Sequence, residues 1–251
     1  MPADQTQTIV FPNVSPSRLI CPRPDATAQE ILAALALPAP RALVLLNGGT
    51  ARLEPPLQER LAAVLADGLA RVAAEERLTV ITGGTDAGIF HLFGEGLVRW
   101  GRTAPRIGVA VAALVSYPGH PGGEASLEPN HSHFVLTAGR QWGDETATMY
   151  ALAAALAHDC PSLAVFAGGG EIALREMQAN VAQGRAMLLL AGSGRNTDAV
   201  LAAAAGGPSG NADLDAVARY PGIVPAAIAD DPAQLRATVR RLLFGGEKPP
   251  G

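Results

Sequence analysis

Lysine is almost absent from this chain. Of its 19 basic residues only Lys248 is a lysine, and it lies near the C-terminal end. A P-loop uses a lysine at the end of a glycine-rich loop to contact nucleotide phosphates, and no such loop precedes Lys248. Schiff-base catalysis requires a lysine within a core site. The sequence therefore argues against P-loop nucleotide hydrolysis and against lysine-based covalent catalysis.

Cysteines, aromatic residues and long apolar runs are also scarce. Cys21 and Cys160 fit a reducing compartment and supply no metal-binding spacing. No apolar run is long enough to span a bilayer, and the first residues lack the pattern of a signal peptide. The net charge of -4 argues against a nucleic-acid surface. We therefore expect a cytoplasmic protein with no membrane segment and no nucleic-acid partner.

Short apolar runs alternate with helix-like segments. The runs are continuously apolar, which is typical of parallel strands buried on both faces. They cover 41–46, 78–82, 106–114, 133–137, 162–167, 186–191 and 223–229. Helices are predicted near 27–35, 55–77, 86–101, 144–158, 171–183 and 231–244, with Asp144 and Asp230 or Asp231 as N-caps. The segment 202–213 is predicted to be a loop.

This alternation predicts an α/β protein with a Rossmann-like, doubly wound, mostly parallel sheet. We expect a single domain over 1–251, with a lead-in over 1–40 and a core over 41–244. The 48% hydrophobic content is sufficient to fill such a core.

Glycines cluster after four of the predicted strands. They occur in the stretches NGGT, TGGTDAG, AGGGE and AGSGR. The carboxyl ends of parallel strands share one edge of the sheet, where ligands bind. Helix N-termini at that edge present free N–H groups to anions. The clustering therefore predicts a phosphate-bearing ligand, although the G-x-G-x-x-G dinucleotide fingerprint is absent.

Four motifs resemble a known family. They are RALVLLNGGTARLEPPLQERLAAVLADGLARVAAEERLTVITGGTDAGIF, LEPNHSHFVLT, AGGGEIALREM and MLLLAGSGRNTDAVL. In this order they resemble the SLOG domain at the cytosolic N-terminus of TRPM ion channels, and the chain looks like a free-standing prokaryotic, LSDAT-like version. The wider superfamily includes the LOG-type phosphoribohydrolases and DprA/Smf. It is implicated in binding nucleotides and nucleotide-derived signals, and some channel members bind ADP-ribose in this domain.

The glycine motifs and the resemblance together predict the ligand-binding residues. They are Gly48, Gly49, Thr50, Gly83, Gly84, Thr85, Asp86, Gly88, Asn130, His131, Arg140, Gly168, Gly169, Gly170, Glu171, Ser193, Gly194 and Arg195. Asp86 is equally interpretable as a helix cap, and Glu171 as a charge at a helix N-terminus.

His131 and His133 share a strand face, but no third ligand for a metal is evident. We expect one histidine to satisfy backbone groups and the other, or Asn130, to contact the ligand. Trp100 and Trp142 are interpreted as packing residues. No metal and no cofactor is expected. A homo-oligomer and a separate effector protein are both compatible with the sequence, which identifies neither.

The resemblance favours binding over catalysis. LOG-type enzymes carry P-G-G-x-G-T-x-x-E, in which the glutamate is catalytic. Here Arg175 stands at that position and Glu176 follows one residue late, about 100° around a helix. The resemblance therefore implies a sensor or carrier of an ADP-ribose-like ligand, with no catalytic residue. One alternative is a nucleotide N-glycoside hydrolase that uses Glu171 or Glu176 with Arg140. Another is a structural or assembly protein whose glycines only form turns.

Overall fold

The structure is a computed structural model that describes residues 6–12, 14–49, 54–207 and 209–245. Thr50 and Lys248 lie outside these residues. The strands are β1 (Thr6–Ile9), β2 (Ser17–Ile20), β3 (Leu43–Gly48), β4 (Thr79–Thr82), β5 (Arg106–Val111), β6 (Val115–Ser116), β7 (Ala125–Ser126), β8 (His133–Thr137), β9 (Ser162–Ala167), β10 (Ala186–Ala191) and β11 (Ile223–Ala227). The helices are α1 (Ala28–Leu35), α2 (Pro55–Ala62), α3 (Arg71–Glu75), α4 (Gly88–Trp100), α5 (Thr146–Leu156), α6 (Glu171–Ala182), α7 (Arg195–Ala204), α8 (Ala212–Ala218) and α9 (Pro232–Phe244).

One mostly parallel sheet organises the described part of the chain. Its nine strands lie in the order β1-β2-β8-β5-β4-β3-β9-β10-β11. Every neighbouring pair is parallel except β1 and β2. β6 and β7 form a separate short ladder. The fold is therefore α/β and Rossmann-like, as the apolar runs predicted.

Each face of the sheet packs against its own layer of helices. On β3, Val44 and Leu46 point into a cluster shared with α2, α3, α4 and α9. Leu43 and Leu45 point to the opposite face, into a cluster shared with α1, α5, α6, α7 and α8. Alternation along the strand produces this division. Among the described residues no helix is both long and apolar enough to cross a membrane.

The lead-in predicted over 1–40 contributes two strands to the sheet. β1 pairs with β2, and β2 pairs with β8. The predicted short helix is α1, and Thr27 and Glu30 form a capping box at its N-terminus. The pattern missed β1 and β2 because their sequences, TQTI and SRLI, contain polar residues and do not form a continuous apolar run.

The helix predicted over 55–77 has a π-helical centre. α2 and α3 flank a π-helical stretch, Ala63–Ala70. A Cβ on Gly68 would lie 2.7 Å from the Leu235 side chain of α9. A Cβ on Gly96 of α4 would lie 2.6 Å from Cα of Ala66. Small residues thus let three helices pack closely over this stretch.

Other predicted boundaries differ locally. The run 106–114 ends as a strand at Val111, and a 3₁₀ turn follows it. The predicted loop 202–213 contains the end of α7 and the start of α8. Apolar composition alone did not separate a strand from the turn after it.

One of the predicted helix caps is wrong and another is confirmed. Glu145 occupies the N-cap position of α5, where Asp144 was predicted. The Asp144 carboxylate instead accepts a hydrogen bond from the Arg140 N–H at 2.8 Å. Asp231 caps α9 by accepting from the Ala233 N–H at 2.7 Å.

Candidate ligand-binding cleft

A cleft opens at the carboxyl edge of the sheet, where the strand order reverses. The chain adds β4, β5 and β8 on one side of β3, and then β9, β10 and β11 on the other. Ligands of open α/β sheets bind at such a point. The cleft has a volume of 1080 Å³. Its lining residues are Gly48, Gly49, Gly83, Thr85, Ala87, Phe90, Glu124, Ala125, Gln141, Trp142, Glu145, Gly170, Glu171, Ile172, Ala173, Arg175, Glu176 and Arg195.

Two of the glycine turns use their N–H groups internally. After β10, the N–H groups of Gly192 and Gly194 both donate to the Asp198 carboxylate at 2.8 Å. After β4, the Gly84 N–H donates to the Thr82 hydroxyl at 2.8 Å. These donors are therefore not available to an anion.

The N-terminus of α7 is also satisfied from within the protein. The Asn196 N–H donates to the Gly169 carbonyl at 3.1 Å, and the Thr197 N–H donates to the Gly168 carbonyl at 3.2 Å. Positive φ angles at both glycines aim these carbonyls at α7. This turn holds β9 and α7 together.

The first turn of α6 differs from these turns. Its N-cap position is Gly170, which has no capping side chain. Among the described residues, no hydrogen bond reaches the N–H groups of Glu171, Ile172 or Ala173, all of which line the cleft. A helix N-terminus with free donors attracts negative charge.

Two arginines flank this free helix end. A Cβ on Gly170 would lie 3.8 Å from Nη2 of Arg195, so this guanidinium group lies beside the α6 N-terminus. A Cβ on Gly143 would lie 3.1 Å from Nη2 of Arg175. Both arginines line the cleft. Two guanidinium groups and the free N–H groups of α6 therefore lie in the same cleft.

Glu145 and Glu176 form a carboxyl pair in the cleft wall. Both residues are buried, with only 6% of their surface exposed. Burial and the nearby Glu145 carboxylate raise the pKa of Glu176 to about 8, and Arg175 offsets this only in part. Burial also raises the pKa of Glu145, although Glu145 accepts a hydrogen bond from the Gly143 N–H at 2.8 Å. Glu176 is therefore largely protonated at neutral pH.

Unpaired polar atoms are buried at residues next to the cleft. The hydroxyl groups of Thr146 and Tyr150, and both polar atoms of the Asn47 side chain, have no hydrogen-bond partner among the described residues. Burial raises the pKa of the Tyr150 phenol, and the Glu176 carboxyl adds to this effect. Asn47 immediately precedes Gly48 of the cleft. Buried polar groups are seldom unpaired. These four atoms are therefore available to form hydrogen bonds with water or with a polar group of a ligand.

Only some of the predicted binding residues line the cleft. Those that do are Gly48, Gly49, Gly83, Thr85, Gly170, Glu171 and Arg195. The structure places Gly84, Asp86, Gly88, Asn130, His131, Arg140, Gly168, Gly169, Ser193 and Gly194 outside the lining. Several of the latter hold the loops in place instead of facing the cleft.

A buried network accounts for His131 and Asn130. His131 Nδ1 lies 2.7 Å from Glu128 Oε2, and its Nε2 lies 2.8 Å from the Thr82 hydroxyl. The Asn130 amide also donates to Glu128. The His133 Nδ1 atom lies 2.8 Å from the Ser132 hydroxyl, so neither histidine ring bonds a backbone group among the described residues, as was expected of one of them. The network fixes the Gly84 turn through Thr82. Among the described residues no cluster of three His, Cys, Asp or Glu side chains could hold a metal ion.

Arg140 and Asp86 were also predicted to bind the ligand, and both lie outside the cleft lining. Arg140 is exposed. Asp86 pairs with His91 at 2.6 Å. The N-cap of α4 is Ala87, without a side-chain hydrogen bond, so the interpretation of Asp86 as a helix cap is wrong.

Sequence reasoning missed one wall of the cleft. Trp142 and Gln141 come from the β8–α5 loop, and Glu124 comes from the segment that carries β7. The Trp142 indole N–H donates to Glu124 Oε2 at 2.9 Å. Glu145 was missed as well. No local motif marks these residues, because only the fold brings these two segments together.

The comparisons with known proteins agree with the motifs. The family model described as "SLOG in TRPM, prokaryote" matches residues 41–235. The chain belongs to this prokaryotic SLOG family. The SLOG match includes every glycine turn of the cleft and leaves out β1, β2 and α1.

Other comparisons are less informative for this SLOG protein. Among solved structures, it is similar to the X-ray structure of TM1055, a structural genomics target, with 21% sequence identity and a TM-score of 0.46. The similarity covers 62% of this chain and 78% of that one. No curated protein matches the sequence. The fold assignment therefore depends on the strand order itself.

Proposed function

We propose that the cleft binds a nucleotide-derived ligand that carries a pyrophosphate, such as ADP-ribose. In this proposal the protein acts as a sensor or carrier and is not an efficient catalyst. The observation that carries the proposal is the unpaired first turn of α6 between Arg175 and Arg195. Helix N-termini are ready-made phosphate sites, and guanidinium groups pair well with phosphate oxygens.

Family membership supports the same class of ligand. Some TRPM channels bind ADP-ribose in the SLOG domain that this chain resembles. Arg175 occupies the place of the catalytic glutamate in the LOG-type motif, which favours binding without turnover.

Calorimetry tests this proposal directly. We expect ADP-ribose to bind at a single site, and AMP, NAD and cyclic ADP-ribose provide comparisons. Arg195→Ala should weaken ADP-ribose binding at least tenfold, because a hydrogen bond to a charged group contributes about 1.5–3 kcal/mol. Arg219→Ala is the matched control, since Arg219 is exposed at the end of α8, away from the cleft. Absence of binding by every compound at millimolar concentration would contradict the proposal.

Gly170→Asp provides a second variant that keeps the fold. The backbone of Gly170 has a negative φ, and a Cβ there meets no atom closer than 3.8 Å. The new carboxylate would lie where we place phosphate and would cap α6 itself. We expect loss of ADP-ribose binding with an unchanged circular dichroism spectrum. Normal binding by this variant would exclude the α6 N-terminus as the phosphate site.

A second candidate function is hydrolysis of a nucleotide N-glycoside. The observation that favours it is Glu176, whose pKa is raised to about 8, in the cleft wall. A carboxyl group that stays protonated at neutral pH can act as a general acid toward a departing base. Arg140 lies outside the cleft lining, so Arg175 or Arg195 would have to take the arginine role.

Chromatography separates the two functions. AMP, cytokinin-type nucleotides and NAD are incubated for hours with stoichiometric protein, and free base is measured. The sensor proposal expects intact nucleotides. Base release over many turnovers that Glu176→Gln abolishes would establish the hydrolase. Glu59→Gln is the control, because Glu59 is exposed on α2 and lies outside the cleft lining.

A further inference from the structure

The two tryptophans of the chain, Trp100 and Trp142, differ in the groups that stack on their indole rings. The Trp100 ring lies under the Arg71 guanidinium group at 4.2 Å, and its indole N–H donates to Asp67. Trp142 lines the cleft and, among the described residues, has no aromatic ring or guanidinium group stacked on it. An indole face beside an open cleft is a stacking surface for a planar group.

Glu124 forms a hydrogen bond with the indole ring. Its Oε2 accepts from the Trp142 indole N–H at 2.9 Å, and no hydrogen bond reaches its Oε1 among the described residues. The Glu124 N–H donates to the Leu114 carbonyl at 2.8 Å, which ties its segment to the protein. The free oxygen therefore remains in the cleft as a hydrogen-bond acceptor beside the indole.

The Trp142 loop also lies next to the proposed phosphate site. A Cβ on Gly143, the next residue, would lie 3.3 Å from Cγ1 of Ile172 in the first turn of α6. The stacking surface and the free α6 N-terminus therefore belong to adjoining parts of one cleft. A single nucleotide has this arrangement of groups, with a planar base at one end and a phosphate at the other.

We propose that Trp142 and Glu124 form a nucleobase subsite, in which the base stacks on the indole and an exocyclic amino group donates to Glu124. This inference rests on the proposed function, and it adds the position and chemical class of the base. A base that carries an exocyclic amino group, as in AMP, should bind more tightly than a base with a carbonyl oxygen at the same position, as in IMP. The carbonyl oxygen of IMP would face the Glu124 carboxylate oxygen, and both are acceptors.

Fluorescence of a Trp100→Phe variant tests the stacking, because Trp142 is then the only tryptophan. We expect AMP to quench its emission with saturation. Ribose 5-phosphate, which lacks a base, should bind without quenching and should compete with AMP. The matched Trp142→Phe variant retains Trp100, and its emission should not respond to AMP.

Calorimetry tests the selectivity. We expect Trp142→Ala to weaken AMP binding about 10- to 100-fold, as for loss of base stacking, and to change ribose 5-phosphate binding less than about twofold. Wild type should prefer AMP over IMP about tenfold. Glu124→Gln should lose or reverse that preference, because an amide N–H can donate to the carbonyl of IMP.

The outcomes distinguish the two proposals. If AMP and ribose 5-phosphate bind equally well and Trp142 emission does not change, the nucleobase subsite is wrong and the phosphate site stands. If the wild type prefers IMP, the role of Glu124 is wrong. If neither compound nor ADP-ribose binds at all, both the subsite and the proposed function are overturned.

Discussion

Arg195 adopts a backbone conformation that few side chains tolerate. Its φ is +53°, in the left-handed region, at the first residue of α7. Only Ala36 and Arg77 share this feature among the described non-glycine residues. Arg77 is exposed and follows α3, whereas Arg195 lines the cleft. Strain of this kind is often kept where a side chain is needed for function.

This strain gives a prediction that separates stability from binding. Arg195→Gly should be more stable than Arg195→Ala by about 1 kcal/mol, because glycine adopts positive φ without a steric penalty. Both variants should bind ADP-ribose at least tenfold more weakly than wild type. Urea unfolding and calorimetry measure the two effects. Arg77→Gly is the matched control, and it should gain stability while binding normally. Unchanged binding by Arg195→Gly would remove Arg195 from the site.

Glu176 makes the stability of the protein depend on pH. Its ordinary pKa of 4.5 rises to about 8 in the folded protein. Between these values the native state therefore holds a proton that the unfolded chain has lost. Stability falls as pH rises across this range, because the unfolded state binds fewer protons. The neighbours that set this shift are Glu145, which raises the pKa, and Arg175, which lowers it.

Replacing Glu176 by glutamine should remove this dependence. We expect Glu176→Gln to gain stability over wild type progressively from pH 5 to pH 8. The upper bound is roughly 4–5 kcal/mol, since each pH unit between the two pKa values contributes about 1.4 kcal/mol. Urea unfolding at several pH values measures the difference. Glu171→Gln is the control because Glu171 is exposed. A constant difference between Glu176→Gln and wild type would contradict a raised pKa.

At the scale of elements, the strand-end loops contain two kinds of glycine. Gly84 has a φ of +69°, and a Cβ there would lie 2.7 Å from Cα of Gly108 on the neighbouring strand. Gly170 has a negative φ and open space around it. The first glycine permits the turn, and the second leaves the α6 N-terminus accessible.

Alanine scanning should distinguish these roles. Gly84→Ala should destabilise the fold by at least about 2 kcal/mol, because it combines positive φ with a backbone clash. Gly170→Ala should cost less than about 1 kcal/mol, as expected for glycine to alanine at an N-cap. Thermal unfolding measures both. Equal loss of stability in the two variants would show that the loops are uniformly constrained.

How far the sequence predicts the structure depends on whether a feature is local. The strands 133–137, 162–167 and 186–191 were predicted at their observed bounds, because continuous apolar runs end there at polar residues or glycine. The π-helical stretch at Ala63–Ala70 was not predictable, because it accompanies tertiary packing against α4 and α9.

The same distinction applies to the cleft. Glycines after strands predicted Gly48, Gly83 and Gly170, since the order of elements brings strand ends together. Sequence could not predict which turns consume their own N–H groups, because that depends on side chains such as Asp198. The contact of Trp142 with Glu124 joins residues 18 positions apart and has no sequence signature.

At the scale of the whole molecule, one nine-stranded sheet contains strands from the start of the described chain, β1, to near its end, β11. β3 lies at the point where the strand order reverses and is hydrogen-bonded to both β4 and β9, so the two halves of the strand order meet there. The cleft lies over this junction and takes residues from both halves, such as Gly83 and Gly170. Separation of the halves would therefore destroy the cleft.

We therefore predict that the chain unfolds as one cooperative unit, as expected for a single domain. Trp100 ends α4 in one helix layer, and Trp142 contacts the cluster beside β5 and β8. Unfolding in urea is followed by fluorescence in Trp100→Phe and Trp142→Phe, and by circular dichroism in each variant. The two probes should coincide within each variant, because a two-state transition has one midpoint for all probes. Loss of Trp142 signal before loss of helix would instead show that the cleft side forms a separate, weaker unit. ADP-ribose should shift both probes together, because a ligand that binds only the native state stabilises the whole cooperative unit.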